Sequence, residues 1–172
     1  MPRDFGIRFF EACMVLTTDC TNVNIYRRAK TGLGVQPLEF DSKIVVIIRE
    51  DLAIWQKLNV TAFTISGIAG TENIVGENYI DASGNVYLPM SKQPILIFGA
   101  TREQMKEVYE RAMKRNMKFT IYTEELFKTY NDLDNRASVA SVKAEDLNLV
   151  GIAIRNTKRQ IDTVVKGLKL HI

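Results

Sequence analysis

Residues 43–70 read KIVVIIREDLAIWQKLNVTAFTISGIAG, and this stretch decides the fold. It opens with the β-branched run 44–48, and a continuous apolar run of that length predicts a strand buried on both faces. After a polar turn at 49–51, apolar residues recur at intervals of three and four and predict a helix that buries this stripe: Ile54, Leu58, Ala62, Ile65 and Ala69. Ligands in α/β sheets gather where strands end, so a site is expected at the turn.

The rest of the chain alternates strand and helix patterns. Apolar runs at 94–98, 118–122 and 147–154 predict three further strands, and a turn at 81–85 predicts a hairpin between two short extended pieces. Thr101 can cap a helix with an evenly charged outer side, and a last helix follows Thr157. This order predicts an α/β/α sandwich around a mixed, mostly parallel sheet of about four strands.

The amino-acid composition limits which classes of function the protein can have. The 172 residues carry a net charge of +3, which does not by itself indicate a nucleic-acid-binding protein. Cys13 and Cys20 fit reduced thiols of a cytoplasmic protein, and no apolar run is long enough to span a membrane. His171 is the only histidine, so neither a metal site nor a cofactor is predicted.

Three blocks of sequence carry a resemblance to a known family. They are KIVVIIREDLAIWQKLNVTAF, TREQMKEVYERAMKRNMKFTIYTEELF and LVGIAIRNTKRQIDTVVKGLKL. In this order they resemble the domain-of-unknown-function family numbered 2000, which is grouped with type-2 peptidyl-tRNA hydrolases. The resemblance covers residues 42–172 and implies the three-layer fold of those hydrolases, with residues 1–41 as an extension.

The hydrolase motifs themselves are altered in this chain. Where the hydrolases open the first helix with Met-Gly-Lys-Gly-Lys, residues 54–57 read IWQK, and Lys57 is the one lysine retained. Where they carry Asp-Ala-Gly-Arg-Thr after the third strand, residues 123–127 read TEELF, with no glycine, no arginine and no matched aspartate. Hydrolysis of peptidyl-tRNA is therefore not predicted.

Candidate site residues follow two of the predicted strands. Lys57 and Asn59 are candidate catalytic residues, because a lysine can act as a base and an amide can orient a carbonyl. The candidate ligand-binding residues are Arg49, Asp51, Thr123 and Glu124, which the parallel sheet is expected to bring to one edge.

Two functions remain open at this stage. One is a ligand-binding domain without hydrolase activity, and the alternative is a small hydrolase or transferase that acts on an amide or ester with Lys57 and Asn59. The expected partner is a small molecule or an RNA end, and a second copy of the chain is a further candidate; a membrane is not.

Overall fold

The structure is a computed structural model that describes residues 39–171. Nearly all of the predicted extension, residues 1–41, lies outside the described residues, as do Cys13 and Cys20. No helix in the described part is long and apolar enough to cross a membrane.

The described chain alternates strands and helices. In chain order they are β1 (Ser42–Arg49), α1 (Ile54–Thr71), β2 (Tyr79–Ile80), β3 (Val86–Tyr87), β4 (Ile95–Ala100), α2 (Arg102–Lys114), β5 (Phe119–Thr123), α3 (Asp132–Ala140), β6 (Leu149–Thr157), α4 (Lys158–Val164) and β7 (Lys169–Leu170). Short 3₁₀ helices occupy Glu124–Lys128 and Ala144–Asp146. β2 and β3 form the predicted hairpin.

The main sheet has five strands in the order β5-β6-β1-β4-β7. The predicted α/β class with a mixed sheet is confirmed, but the expectation of about four, mostly parallel strands is wrong. Among the described strands β1 and β4 form the one parallel pair, and the other neighbours in the sheet are antiparallel. A strand buried on both faces has the same apolar composition whichever way its neighbours run, so the sequence of β6 does not reveal its direction.

Helices cover both faces of this sheet. The side chains of β1 alternate, so that Val45 and Ile47 join a core with α2 and α4, whereas Ile44, Val46 and Ile48 join a second core with α1. Burial on both sides explains why the run 44–48 is apolar throughout. The three layers expected from the sequence are therefore present.

α1 buries only part of the predicted stripe: Ile65 and Ala69 are partly buried against the core, but the fully buried positions lie elsewhere on the helix. Its buried residues are Val60, Thr64 and Ile68, whereas Leu58 is 68% exposed and Ile54 is exposed as well. The helix is apolar on most of its circumference, so spacing alone predicts two stripes equally well.

Two glycines explain which stripe α1 buries. A Cβ atom on Gly151 of β6 would lie 2.1 Å from Cγ1 of Val60, and one on Gly67 of α1 would lie 2.5 Å from Cγ2 of Thr120. The helix and the sheet thus approach each other at positions that have no side chain. This approach turns Val60 inward and leaves Leu58 outside.

Candidate functional site

Three strand ends meet at one edge of the main sheet. β1 and β5 both pair antiparallel with β6, so they run in the same direction although β6 lies between them. Their carboxyl ends, at Arg49 and Thr123, therefore lie at the edge where β6 begins with Leu149. Polar residues next to these three ends contact one another across the edge.

Arg49 connects these polar residues. It is buried, and its Nε donates a hydrogen bond to Oδ1 of Asp51 at 2.6 Å. Its two terminal nitrogens donate to Oδ1 of Asn148 at 3.0 Å and to Oε2 of Glu124 at 2.8 Å. Nδ2 of Asn148 also donates to Glu124, at 2.9 Å. We call these four residues the Arg49 cluster.

The Arg49 cluster holds one cation between two carboxylates. Burial lowers the pKa of the Arg49 guanidinium, but the hydrogen bonds and charges of Asp51 and Glu124 outweigh burial and raise that pKa above its ordinary value. The hydrogen bond from Arg49 is the largest effect on the Glu124 carboxyl and lowers its pKa; burial opposes this shift, and smaller effects of Asn148 and of the charges of Arg49 and Arg102 add to the lowering. Both groups are thus ionised at neutral pH, which suits hydrogen bonding to a ligand better than proton transfer.

Arg102 lies at the outer side of the cluster. Its guanidinium is 3.8 Å from Oε2 of Glu124, and its side chain is largely exposed. It is the first residue of α2, where the helix dipole disfavours a cation, so the nearby carboxylate offsets this cost. Arg102 is therefore a cation at the rim that a ligand can reach.

A groove of about 670 Å³ opens beside the cluster, between α2 and residues 144–149. We call it the α2 groove; Arg102 and Asn148 belong both to its wall and to the surroundings of Glu124. Its apolar lining comes from Met105, Tyr109, Met113, Leu147 and Leu149. The groove therefore has apolar side chains interspersed with charged ones, and Arg102 and Asn148 lie where it borders the Arg49 cluster.

Lys57 and Asn59 lie apart from the Arg49 cluster. Both belong to α1, which packs on the opposite face of the sheet from α2. Oδ1 of Asn59 accepts a hydrogen bond from the Tyr122 hydroxyl at 3.1 Å, and burial raises the pKa of that hydroxyl. Among residues 39–171 the ammonium group of Lys57 makes neither an ion pair nor a hydrogen bond.

The structure thus places the six candidate site residues predicted from the sequence in two separate groups. Arg49, Asp51 and Glu124 are in direct contact, and Thr123 is buried immediately before Glu124. Sequence reasoning missed Asn148 and Arg102. Asn148 lies inside the run 147–154 that predicts a strand, and it reaches this edge because β6 begins directly after it and runs antiparallel to β1 and β5. A cation in the first turn of α2 was the available signal for Arg102.

The described residues provide no metal-binding group of three or more His, Cys, Asp or Glu side chains. The Arg49 cluster itself contains two carboxylates that are already paired with a cation. What this arrangement can do chemically is to hold polar groups in fixed directions where the α2 groove borders the cluster.

Comparison with known proteins identifies the family. The family model described as protein of unknown function (DUF2000) matches residues 42–172, which is most of the chain. The chain belongs to this family. A solved structure of a protein of unknown function from Agrobacterium tumefaciens strain C58 is 43% identical to this DUF2000 chain, with a TM-score of 0.75. The match covers 78% of this chain and 100% of that one. Among curated proteins none matches.

Proposed function

We propose that residues 42–172 form a ligand-binding domain without hydrolase activity on a type-2 peptidyl-tRNA hydrolase-like scaffold, with residues 1–41 as an extension. The ligand lies in the α2 groove, and its polar group contacts Arg102 and Asn148. One observation carries the proposal: Asn148 lines the groove and is also hydrogen-bonded within the Arg49 cluster. Apolar walls with a few fixed polar groups are typical of small-molecule sites.

The hydrogen bonds of Asn148 support a ligand that accepts hydrogen bonds. Arg49 donates to its oxygen and its nitrogen donates to Glu124, so the orientation of the amide is fixed from both sides. An amide nitrogen carries two N–H groups, and the second makes no hydrogen bond within residues 39–171. Together with the donors of Arg102, it suits a carbonyl or amide oxygen of the ligand.

The charge of the groove favours a neutral small molecule over an RNA end. The lining contains four carboxylates and only two cations: Glu103, Glu110, Glu145, Asp146, Arg102 and Lys106. Affinity for nucleic acid comes mainly from cations that neutralise phosphates, and here the carboxylates outnumber the cations. A ligand with an apolar body and an uncharged polar group fits this lining.

Geometry also supports binding over hydrolysis or group transfer. The alternative enzyme would use Lys57 and Asn59 with a carboxylate, but Asp51 and Glu124 are paired with Arg49, which faces α2. Lys57 and Asn59 are on the helix across the sheet. Within residues 39–171 neither the Lys57 ammonium nor the Asn59 amide hydrogen-bonds to a carboxylate, the contact that such an enzyme would use.

The experiment is a thermal-shift screen of neutral small molecules with apolar bodies. At a ligand concentration of about one hundred times Kd, binding adds ~2.7 kcal/mol to the stability of the folded state. For a domain of this size that corresponds to a rise in Tm of about 5–10 °C. Each hit is then measured with Arg102→Ala and with the matched control Arg136→Ala, which removes an exposed arginine from a carboxylate pair on α3.

The proposal predicts that Arg102→Ala weakens binding about tenfold, because a hydrogen bond to a charged group contributes roughly 1.5–3 kcal/mol. At the same ligand concentration the Tm shift then falls to about half, whereas Arg136→Ala leaves it unchanged. Hits that Arg102→Ala retains in full, but that Lys57→Ala or Asn59→Ala abolishes, would overturn the proposal in favour of the site on α1.

A further inference from the structure

The outer side of α1 is apolar, and its large side chains are mostly exposed in the structure of residues 39–171, although the rings of Trp55 and Phe63 make edge contacts with Phe127 and Tyr122. Its large side chains are exposed by 78% at Ile54, 61% at Trp55, 68% at Leu58 and 53% at Phe63. These four positions fall on one side of the helix, away from the buried Val60, Thr64 and Ile68. We call them the outer face of α1.

The two long helices of this domain differ sharply in charge. α1 carries one charged residue in 18, whereas α2 carries seven in 13, of both signs. Both helices pack on the same sheet, so α2 illustrates what a solvent-facing helix looks like in this protein. A helix that is apolar all round is normally buried on both sides.

The exposed area is large enough for an interface. Aromatic side chains of about 150–250 Å² and aliphatic ones somewhat smaller give, at the exposures above, roughly 500 Å² of apolar surface per copy. Two copies in contact would remove about 1,000 Å² from water, which reaches the lower limit for a specific protein interface. A patch of this size is near the upper end of what monomers expose, and such patches are often functional.

We propose that the outer face of α1 packs against the same face of a second copy, across a two-fold axis. A self-contact requires a surface that is complementary to itself, and an apolar face with almost no charge meets this requirement without placing like charges together. Homodimer interfaces are also more apolar than those of transient partners. The interface lies on the opposite face of the sheet from the α2 groove, so this proposal and the ligand-binding proposal are tested independently.

The chain has a single tryptophan, and it lies in the proposed interface. Trp55 fluorescence therefore reports association directly, without a label. We expect its emission to shift to longer wavelength and its quenching by acrylamide to increase as the protein is diluted from micromolar to nanomolar concentration. Emission that does not change with dilution, together with a monomer mass by light scattering at the highest concentration, would overturn the proposal.

A matched pair of variants tests the interface separately from the fold. Leu58→Asp places a charge in the outer face of α1, and Leu133→Asp makes the same change on α3, where the leucine is 70% exposed. Leu58→Asp is expected to raise the dimer dissociation constant roughly thirtyfold or more, the effect of losing a central interface residue. Leu133→Asp should leave it unchanged. A dimer that survives Leu58→Asp with its dissociation constant intact would contradict the proposed face.

Discussion

Val60 of α1 packs directly against the backbone of Gly151 in β6, so a side chain added at Gly151 tests how closely the helix and the sheet approach each other. Gly151→Ala adds one methyl group whose carbon would lie 2.1 Å from Cγ1 of Val60, far inside the contact distance of two carbon atoms. Both residues are buried in layers that cannot easily move apart. Overpacking of this kind costs about 1–3 kcal/mol, and occasionally more.

Val60→Ala removes the atom that causes the clash. By itself it should cost about 2–3 kcal/mol, from ~0.8 kcal/mol for each lost methyl group and an added cavity term. In the double variant the methyl group on residue 151 enters the space that valine has left, because the next nearest atoms, in Thr64 and Tyr122, are 3.6 Å away. The double variant should therefore be no less stable than Val60→Ala.

Urea unfolding of the four proteins, followed by far-UV circular dichroism at one protein concentration, measures the coupling. We expect the two substitutions to be non-additive by at least ~1 kcal/mol, with the double variant more stable than the sum predicts. Gly70→Ala is the control, because an added Cβ there meets no atom within 4 Å and a helix gains up to about 1 kcal/mol from this change. Additive effects of Gly151→Ala and Val60→Ala would refute the proposed close approach of helix and sheet.

Three further predictions follow from the burial and charge of single residues. Leu58→Ala should change the free energy of unfolding by less than ~0.5 kcal/mol per chain when the protein is measured as a dilute monomer, because the side chain is exposed. A loss of ~2–5 kcal/mol would instead show that Leu58 is buried, as the sequence predicts. Arg49→Ala should lower the free energy of unfolding in urea by ~1–3 kcal/mol, because Asp51 and Glu124 lose their hydrogen-bond donor but stay partly exposed to water. A smaller loss than that caused by Arg136→Ala would contradict the central position of Arg49. The pKa of Glu124 is lowered from its ordinary 4.5 in the folded state, so its contribution to stability is present above that pH and is lost as the pH falls through the folded-state pKa. Glu124→Gln should flatten the fall in Tm as the pH drops below 4.5, and an unchanged profile would exclude this role.

The sequence predicts well those parts of the fold in which the residue pattern fits only one structure. β1 was expected at 43–48 and occupies Ser42–Arg49, because five consecutive β-branched residues fit a buried strand and little else. α2 begins after Thr101, the predicted cap, whose side chain accepts a hydrogen bond from the Gln104 amide. The helical spacing of its apolar residues predicts a buried face of Met105, Val108, Tyr109, Ala112 and Met113; Met105, Val108 and Ala112 are buried, whereas Met113 is 50% exposed. In both segments the local preference and the packing agree.

The predictions from sequence were wrong where the residue pattern fits more than one structure. α1 offers two apolar stripes, and the glycines on the helix and on the facing strand decide between them, which periodicity cannot show. Residues 131–138 are polar, which predicts an exposed loop, but α3 forms there, capped by Asn131 through the Asp134 amide. That segment is exposed as expected, and Asn131 with two acidic residues in the first turn was the helix signal that its polarity obscured.

The residues of the candidate site were likewise predicted only in part. Arg49, Asp51 and Glu124 each follow a strand, and strand ends that share a direction lie at one edge of a sheet whether or not the strands are neighbours. Asn148 comes before its strand, so it joins them only because β6 is antiparallel. Direction of a central strand is a property of the whole topology, and it is not encoded in the residues next to Asn148.

The position of β6 between β1 and β5 has a consequence during protein synthesis. β1 pairs with β4 on one side and with β6 on the other, and Arg49 and Leu149 are a hundred residues apart. At about 5–20 residues per second, a ribosome needs roughly 5–20 s to make that length of chain. Throughout this interval the apolar strand at the centre of the sheet has an open edge, the form in which nascent chains aggregate or are bound by chaperones. Slower elongation after residue 100 prolongs this exposure, so the soluble yield of the protein depends on how quickly the ribosome delivers β6.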